Sequence, residues 1–287
     1  MTAGRRAPVL RMLARPRAWF SVAVIAVVLV CALAPWLLAP QDPLAQNLAL
    51  RLRPPSFMAR GVPGYWLGTD QLGRDLLSRI ILGAQVTLLI SVSAVAVSAM
   101  LGVTAGLVSG FLGGTVDAVI QRLIDMQLAF PLILMVIAIV SVVGPSLPHL
   151  VLIMGISGWP RFARVVRGSV LSLRELEFVE AARAIGANRI RIMLRHVLPN
   201  VLSAIIVYVS FELARMILLE ATLSFLGLGV QPPTPSWGGM IDDGRKYLAL
   251  SWTVSLCPGL AIALLIMAIN TIGDQLRDTL DPHLAED

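Results

Sequence analysis

The sequence predicts an all-α polytopic membrane protein with six transmembrane helices. Three observations carry that expectation. Of 287 residues, 57% are hydrophobic and only 14% are charged, whereas an ordinary soluble domain carries about 25% charged residues. The charges are also clustered, leaving uncharged tracts at 18–41, 80–116, 126–160, 196–211, 221–241 and 247–273. A helix needs about 20 mainly apolar residues to cross a bilayer, so several of these tracts can span. Finally, the basic residues are asymmetric. With the N-terminus in the cytoplasm, segments 1–18, 110–130, 160–200 and 273–287 hold 15 arginines, against seven basic residues in 40–79, 144–148 and 227–250. The positive-inside rule then puts both termini in the cytoplasm. A soluble enzyme, a disordered tail and a disulfide scaffold are excluded.

Three segments organise the chain: a cytoplasmic N-terminus with the first helix (1–40), an extracytoplasmic loop (41–79) and a five-helix core (80–287). Arg5, Arg6, Arg11, Arg15 and Arg17 before an apolar run imitate a signal peptide. Pro35 would follow a cleavage site at Ala32-Leu33-Ala34, and Val28-Leu29-Val30-Cys31 lacks the small residue of a lipobox. A retained span at 19–38, closed by Pro40 and Pro43, is therefore expected. The second span, 82–108, ends at Gly113-Gly114 and carries Gly102, Gly106 and Gly110. That spacing is either a surface for close helix approach or chance in a glycine-tolerant helix.

Tract 126–160 is too long for one crossing, about 52 Å as a single helix. Gly144-Pro145-Ser146-Leu147-Pro148 should fold it into a hairpin. The first arm, 127–143, is the third span. The second, from His149, meets Arg161 after 12 residues. It is expected to continue through Arg161, Arg164 and Arg167, with those side chains snorkelling to headgroups. Spans at 199–226 and 252–272 complete the six.

Other classes of function meet specific obstacles. The net charge of +6 fits anionic headgroups, and no stacking aromatics lie among the basic runs, so nucleic-acid binding is not expected. Cys31 and Cys257 read as small buried hydrophobes. Lys246 is the only lysine and stands between Arg245 and Tyr247, which excludes a P-loop. Gly155-Ile156-Ser157-Gly158 fits a short serine-protease motif, but neither of the last two spans holds a histidine to act as base. No HExxH zinc motif occurs. A secondary transporter would be expected to show a large inverted repeat, and none is evident.

Residues 160–200 hold eight arginines and three glutamates in an ordered pattern. Ser172-Leu173-Arg174-Glu175 reads as a capping box, followed by a helix to Ile185 that stops at Gly186. Asn188 should cap a second, amphipathic helix with Ile190, Met193, Leu194 and Val197 on one face, and Pro199 should open the fifth span. On pattern alone, an element lying in the membrane interface is the alternative. Glu180-Ala181-Ala182, Gly186 and Leu198-Pro199 at these spacings resemble the EAA loop of ABC importer permeases. His196 departs from that pattern, standing where it has an apolar residue. The blocks Trp66-Leu67-Gly68-Thr69-Asp70-Gln71-Leu72-Gly73-Arg74-Asp75-Leu76-Leu77-Ser78-Arg79 and Pro235-Ser236-Trp237-Gly238-Gly239-Met240 resemble the C-type branch for dipeptides, oligopeptides and nickel. Within the first block, Thr69 or Asp70 can cap a helix and Asp75 can pair with Arg79.

The resemblance spans about 19–283 and implies a permease subunit of the bacterial inner membrane. Its expected partners are a homologous second permease, two cytoplasmic ATPase subunits that bind ATP and Mg, an extracytoplasmic binding protein and membrane lipid. It implies that Glu180, Ala181, Ala182, Gly186, Leu198 and Pro199 couple to the ATPases, and that this chain has no cofactor, metal or catalytic residue of its own. It favours short peptides over nickel, glutathione or another small ligand as cargo. Glu212 and Arg215 fall inside the fifth span, roughly 18 and 22 Å along it from Asn200. They either line the translocation path or form a local bridge that locks the helix to its partner subunit. Glu220 should sit near the outer edge.

Overall fold

A computed structural model describes residues 16–280. Arg5, Arg6, Arg11 and Arg15 of the predicted N-terminal segment lie outside the described residues. Among those described, the elements are helices, with one isolated bridge between Thr69 and Asp75. Helix α1 (Pro16–Leu33) is followed by a single turn, α2 (Pro35–Leu38). The expected 19–38 span is thus interrupted at Pro35, which has no N–H to carry the ladder forward and disfavours helical geometry at Ala34.

Helix α3 (Leu76–Leu112) has 37 residues, about 55 Å, and extends past the expected 82–108 at both ends. Its cap is Asp75, whose Oδ2 accepts from the Ser78 amide at 2.8 Å and the Ser78 hydroxyl at 2.6 Å. Neither Thr69 nor Asp70 caps it, and Asp75 is not the partner of Arg79. The turn at Gly73, with φ +72°, folds 69–75 back on itself and leaves Asp75 directly before the helix. Asp70 instead bonds the Leu72 and Arg74 amides and pairs with Arg74 at 2.6 Å and Arg79 at 3.3 Å. Burial pushes the Asp75 carboxyl above its usual range, against the pull of its Ser78 bonds.

Gly113 and Gly114, both at positive φ, separate α3 from α4 (Gly114–Ala129). Helix α5 (Leu132–Val143) then leaves at 85° to α4. The expected straight span at 127–143 is therefore broken. Pro131 supplies no N–H, and Phe130 before it is extended (ψ 134°). The glycine–proline hairpin forms as expected, with Gly144 at φ +85°. Helix α6 (Leu147–Leu173) then runs through the arginine stripe without interruption.

After α7 (Glu177–Ala184) and α8 (Arg189–Ile192), one π turn (Met193–Val197) leads into α9 (Leu198–Phe225). Helices α10 (Trp237–Arg245) and α11 (Thr253–Leu280) finish the described chain. Three runs, Leu76–Leu112, Arg189–Phe225 and Thr253–Thr279, are each long and apolar enough to cross a membrane, and the bent α4–α5 pair qualifies if taken together.

Helix α3 is the hub. Its first half packs with α1, α9, α10 and α11 around Leu76, Ala84, Ile217, Trp237 and Leu265. Its middle joins α5, α6 and α9 around Ile90, Val136, Met154 and Phe162, and its last turns join α6, α7 and α9 around Leu107, Val170 and Val179. The glycine triplet is what lets α6 approach. A β-carbon on Gly102 would stand 2.6 Å from the Trp159 carbonyl oxygen, and one on Gly106 would stand 2.6 Å from that of Ala163. Between apolar helices in lipid, such backbone proximity supplies the dispersion contacts that hold them together. Gly155 and Gly158 of the serine motif serve the same seam: a β-carbon on Gly155 would meet Val97 at 2.6 Å. Cys31 and Cys257 are free thiols beside the α1–α11 core.

Candidate coupling and transport site

The EAA segment divides by helical phase. Glu177 and Glu180 occupy the first turn of α7 and Arg183 the last, matching the helix dipole at both ends. Val179 and Ala182, three residues apart, are buried with Phe111, Val166 and Val170. Glu180 and Ala181 face outward. The helix closes on a complete Schellman turn: the Gly186 amide donates to Arg183 O at 2.9 Å and the Ala187 amide to Ala182 O at 3.1 Å. That turn needs the left-handed φ of +79° at Gly186, a geometry that favours glycine. Nothing lies within 4 Å of where a Gly186 β-carbon would stand, so the residue is kept for conformation and not for space.

Two expectations for this segment are corrected. Ser172 is not an N-cap: it lies in the last turn of α6, where its hydroxyl donates to Gly168 O at 3.4 Å, and α7 begins without a side-chain cap. Asn188 does cap α8, accepting from the Ile190 amide at 3.3 Å. The buried face beyond it, however, is Ile192, Val197, Val201 and Ile205, whereas Ile190 is 60% and Leu194 51% exposed. The π turn adds one residue between Ile192 and Val197 and so rotates the apolar register. Pro199 stands in the first turn of α9, as expected, although α8, the π turn and α9 together form one continuous apolar run from Arg189 to Phe225. The neighbours N-terminal to Pro199 are accommodated by the π turn, a device often found where a proline ring displaces a carbonyl. Pro199 is exposed and Leu198 partly buried.

Around α7 the surface carries Leu176, Phe178, Ile185, Ile190 and Leu194, all exposed, with Ile185 at 85%. Arg174 ties the segment to the end of α3 by donating to Gly110 O at 3.1 Å. Arg183 lies over the Phe111 ring at 5.8 Å. The arginines of α6 do not all snorkel. Arg164 pairs with Asp125 at 2.6 Å and Arg167 with Asp117 at 2.6 Å, both partners on α4. Opposite charges one helix away were not visible as partners in the one-dimensional pattern.

Deeper in the bundle, Arg215 Nε donates to Glu212 Oε2 at 2.9 Å, and its Nη2 donates to Oε1. Tyr208 OH reaches the same carboxylate at 3.4 Å, and its ring meets Phe162 edge-on at 4.7 Å. Glu212 is 2% exposed and lies against α6 at Gly158, so the bridge is local and internal to this chain. Glu220 is buried too, accepting from Ser224 at 2.7 Å and Thr87 at 3.3 Å. Taking a charge out of water costs several kcal/mol, which explains why each buried carboxylate is partnered.

The two sequence blocks meet at the opposite end of α3 from α7. Ser236 caps α10, and the Trp237 indole donates to Ile80 O at 2.9 Å. Gly83 makes room for that ring: its β-carbon would stand 2.9 Å from Trp237 Cδ1. Arg74 and Arg79 reach from the first block to Asp243, at 3.8 and 4.0 Å. Both blocks therefore shape one end of the bundle.

Residues 102–286 match the family model described as the binding-protein-dependent transport system inner membrane component. The chain belongs to that family. As a permease it is 44% identical over 255 residues, covering 88% of its length and 84% of the relative, to the di/tripeptide transport system permease protein DppC of Pseudomonas aeruginosa. It is 43% identical to the glutathione transport system permease protein GsiD of Pectobacterium atrosepticum, over 77% of this chain and 73% of that one. To the probable D,D-dipeptide transport system permease protein DdpC of Escherichia coli it is 39% identical, over 91% and 86%. The permease also shares a fold with a chain of the inward-facing MetNI methionine ABC transporter: TM-score 0.58, 20% identity, 71% of this chain and 96% of that one. The permease has the family's membrane role, which is not catalytic.

Proposed function

We propose that this chain is one of two homologous permease subunits in an ATP-driven importer of short peptides. It works with two cytoplasmic ATPases, which bind ATP and Mg, and with an extracytoplasmic binding protein. Six crossings, counting the bent α4–α5 pair and α6 as spans, put both termini and the α7–α8 segment in the cytoplasm. The peptide cargo follows the relatives with dipeptide, D,D-dipeptide and peptide names. Glutathione, the cargo named for another relative, is itself a tripeptide derivative.

The observation that carries this reading is the phase of α7: Val179 and Ala182 anchor it to α3 and α6, while Glu180 and Ala181 are left facing out beside an exposed apolar rim. The outward face and the Gly186 turn form the contact with an ATPase. ATPase closure pushes on α7, and the push passes through its anchors to α3 and α6. It also passes along the Arg189–Phe225 rod, which carries Leu198 and Pro199 just after the π turn and Glu212 and Arg215 farther on. In this reading the polar strip around Glu212 borders the translocation path. The test is ATP hydrolysis by the reconstituted complex: a peptide-loaded binding protein should stimulate it, and stimulation by a non-peptide ligand alone would reject the peptide reading.

A further inference from the structure

We propose that the cavity behind the Pro131 break is a station for the cargo's carboxylate, with Arg161 as its cation. This rests on the peptide-importer reading and adds to it a chemical requirement on the cargo. Helix α6 carries three arginines on one stripe, and two are neutralised from α4, Arg164 by Asp125 and Arg167 by Asp117. Arg161 has no ion-pair or hydrogen-bond partner among the described residues. Its turn faces the point where α4 ends and the chain bends at Pro131. The one polar side chain that α4 offers there is Gln127, and it is occupied: Oε1 accepts from Trp159 Nε1 at 2.8 Å, and Nε2 donates to Ile156 O at 2.8 Å.

The cavity measures about 240 Å³ and is lined by Gln127, Phe130, Pro131, Met135, Ser157 and Arg161 among others. Ser157 has spent its proton on Met154 O at 2.6 Å, which leaves the guanidinium as the free donor. Its planar fork matches a carboxylate in two parallel hydrogen bonds. Whole small-molecule pockets run from about 300 Å³ upward, so this volume suits one end of a ligand. Phe130 and Met135 offer the adjoining side chain an apolar wall.

The place is continuous with the polar strip. Gly158, one turn before Arg161 on the same face, is where the Glu212 carboxylate rests. Tyr208 links the two places: its hydroxyl reaches Glu212 at 3.4 Å, and its ring packs on Phe162, the residue after Arg161, at 4.7 Å. Two cations and one anion leave the strip with one uncompensated positive charge. An anionic lipid headgroup shares the chemistry that would satisfy it, so the experiment must separate the two.

The test uses the complete reconstituted transporter, with Met135 replaced by p-benzoylphenylalanine, turning over a labelled dipeptide or its C-terminal amide. The free acid should cross-link at position 135, and the amide should do so about tenfold less, the scale of one lost charged hydrogen-bond pair. R161Q should abolish the difference, and R161K, a point charge without the planar fork, should retain only part of it. The acid–amide comparison with Arg161 intact stands whether or not R161Q assembles. Equal trapping of acid and amide, no trapping of either, or trapping of a labelled anionic phospholipid instead overturns the proposal. Arg161-dependent uptake of a non-peptide carboxylate would overturn the peptide reading and support the station. Dipeptide uptake indifferent to R161Q would do the reverse.

Discussion

A β-carbon on Gly158 of α6 would stand 2.7 Å from Glu212 Oε1 of α9, so the buried carboxylate occupies the space that this glycine leaves open. Any side chain there displaces a buried carboxylate from its bonds to Arg215 and Tyr208. Gly158→Val should lower the stability of the assembled complex by about 1–3 kcal/mol. Thermal unfolding in detergent measures it, and Gly168→Val is the control, since nothing lies within 4 Å of that position.

The α3–α6 seam makes a parallel prediction. Gly106→Leu would drive a side chain into the Ala163 carbonyl and Val166, forcing apart helices that touch along three turns. Complex yield and unfolding temperature should both fall, whereas Gly114→Leu, at an open turn, should affect the local backbone only. Equal behaviour of the two variants would mean that the triplet is incidental.

At the other end of α3, Trp237→Phe keeps an aromatic ring but removes part of the buried indole together with its bond to Ile80 O. A lost neutral hydrogen bond costs about 1 kcal/mol net, more when the acceptor is left buried. The unfolding temperature should drop by a few degrees with transport largely retained, because the indole acts in packing.

The path assignment is tested by removing its charges together. The Glu212→Gln, Arg215→Gln double variant abolishes both ions while leaving polar, hydrogen-bonding side chains at both positions. Uptake should fall well below the wild-type rate at normal subunit levels. Unchanged transport would leave the bridge as a lock between α6 and α9 and nothing more.

What could be read from the sequence was whatever local periodicity controls. The helical class, the Gly144 hairpin, the stop at Gly186 and the Asn188 cap depend on a few adjacent residues. The failures came from features that periodicity does not encode. Pro131 was hidden inside an apolar tract whose length alone looked sufficient for a span. Of the apolar face expected at Ile190, Met193, Leu194 and Val197, only Val197 is fully buried, because the π turn at Met193–Val197 departs from the 3.6-residue period on which that face was drawn. Asp75 replaced Asp70 as a cap because a tertiary turn at Gly73 set the helix start. The Arg167–Asp117 pair joins residues 50 apart in sequence, which no local pattern reveals. The coupling residues were legible as a spacing; that Ala181 faces out while Ala182 faces in needed the fold.

Gly186 separates conformation from contact. Gly186→Trp places a large side chain on a residue at φ +79°, where strain of about 1–3 kcal/mol accompanies any non-glycine. ATP hydrolysis should become independent of the loaded binding protein. Gly186→Asn, which tolerates this geometry better, should retain most of the coupling.

The most direct measurement compares neighbouring residues of α7. In the reconstituted complex, peptide uptake and ATP hydrolysis are followed together for Ala181→Trp and Ala182→Trp, alongside unfolding temperatures. Ala181→Trp should leave the unfolding temperature unchanged and abolish the stimulation of hydrolysis by the loaded binding protein. Ala182→Trp should destabilise the permease instead, since that side chain is buried among Val179, Val166 and Val170. Full coupling in a stable Ala181→Trp complex would contradict the assignment of this face to the ATPase.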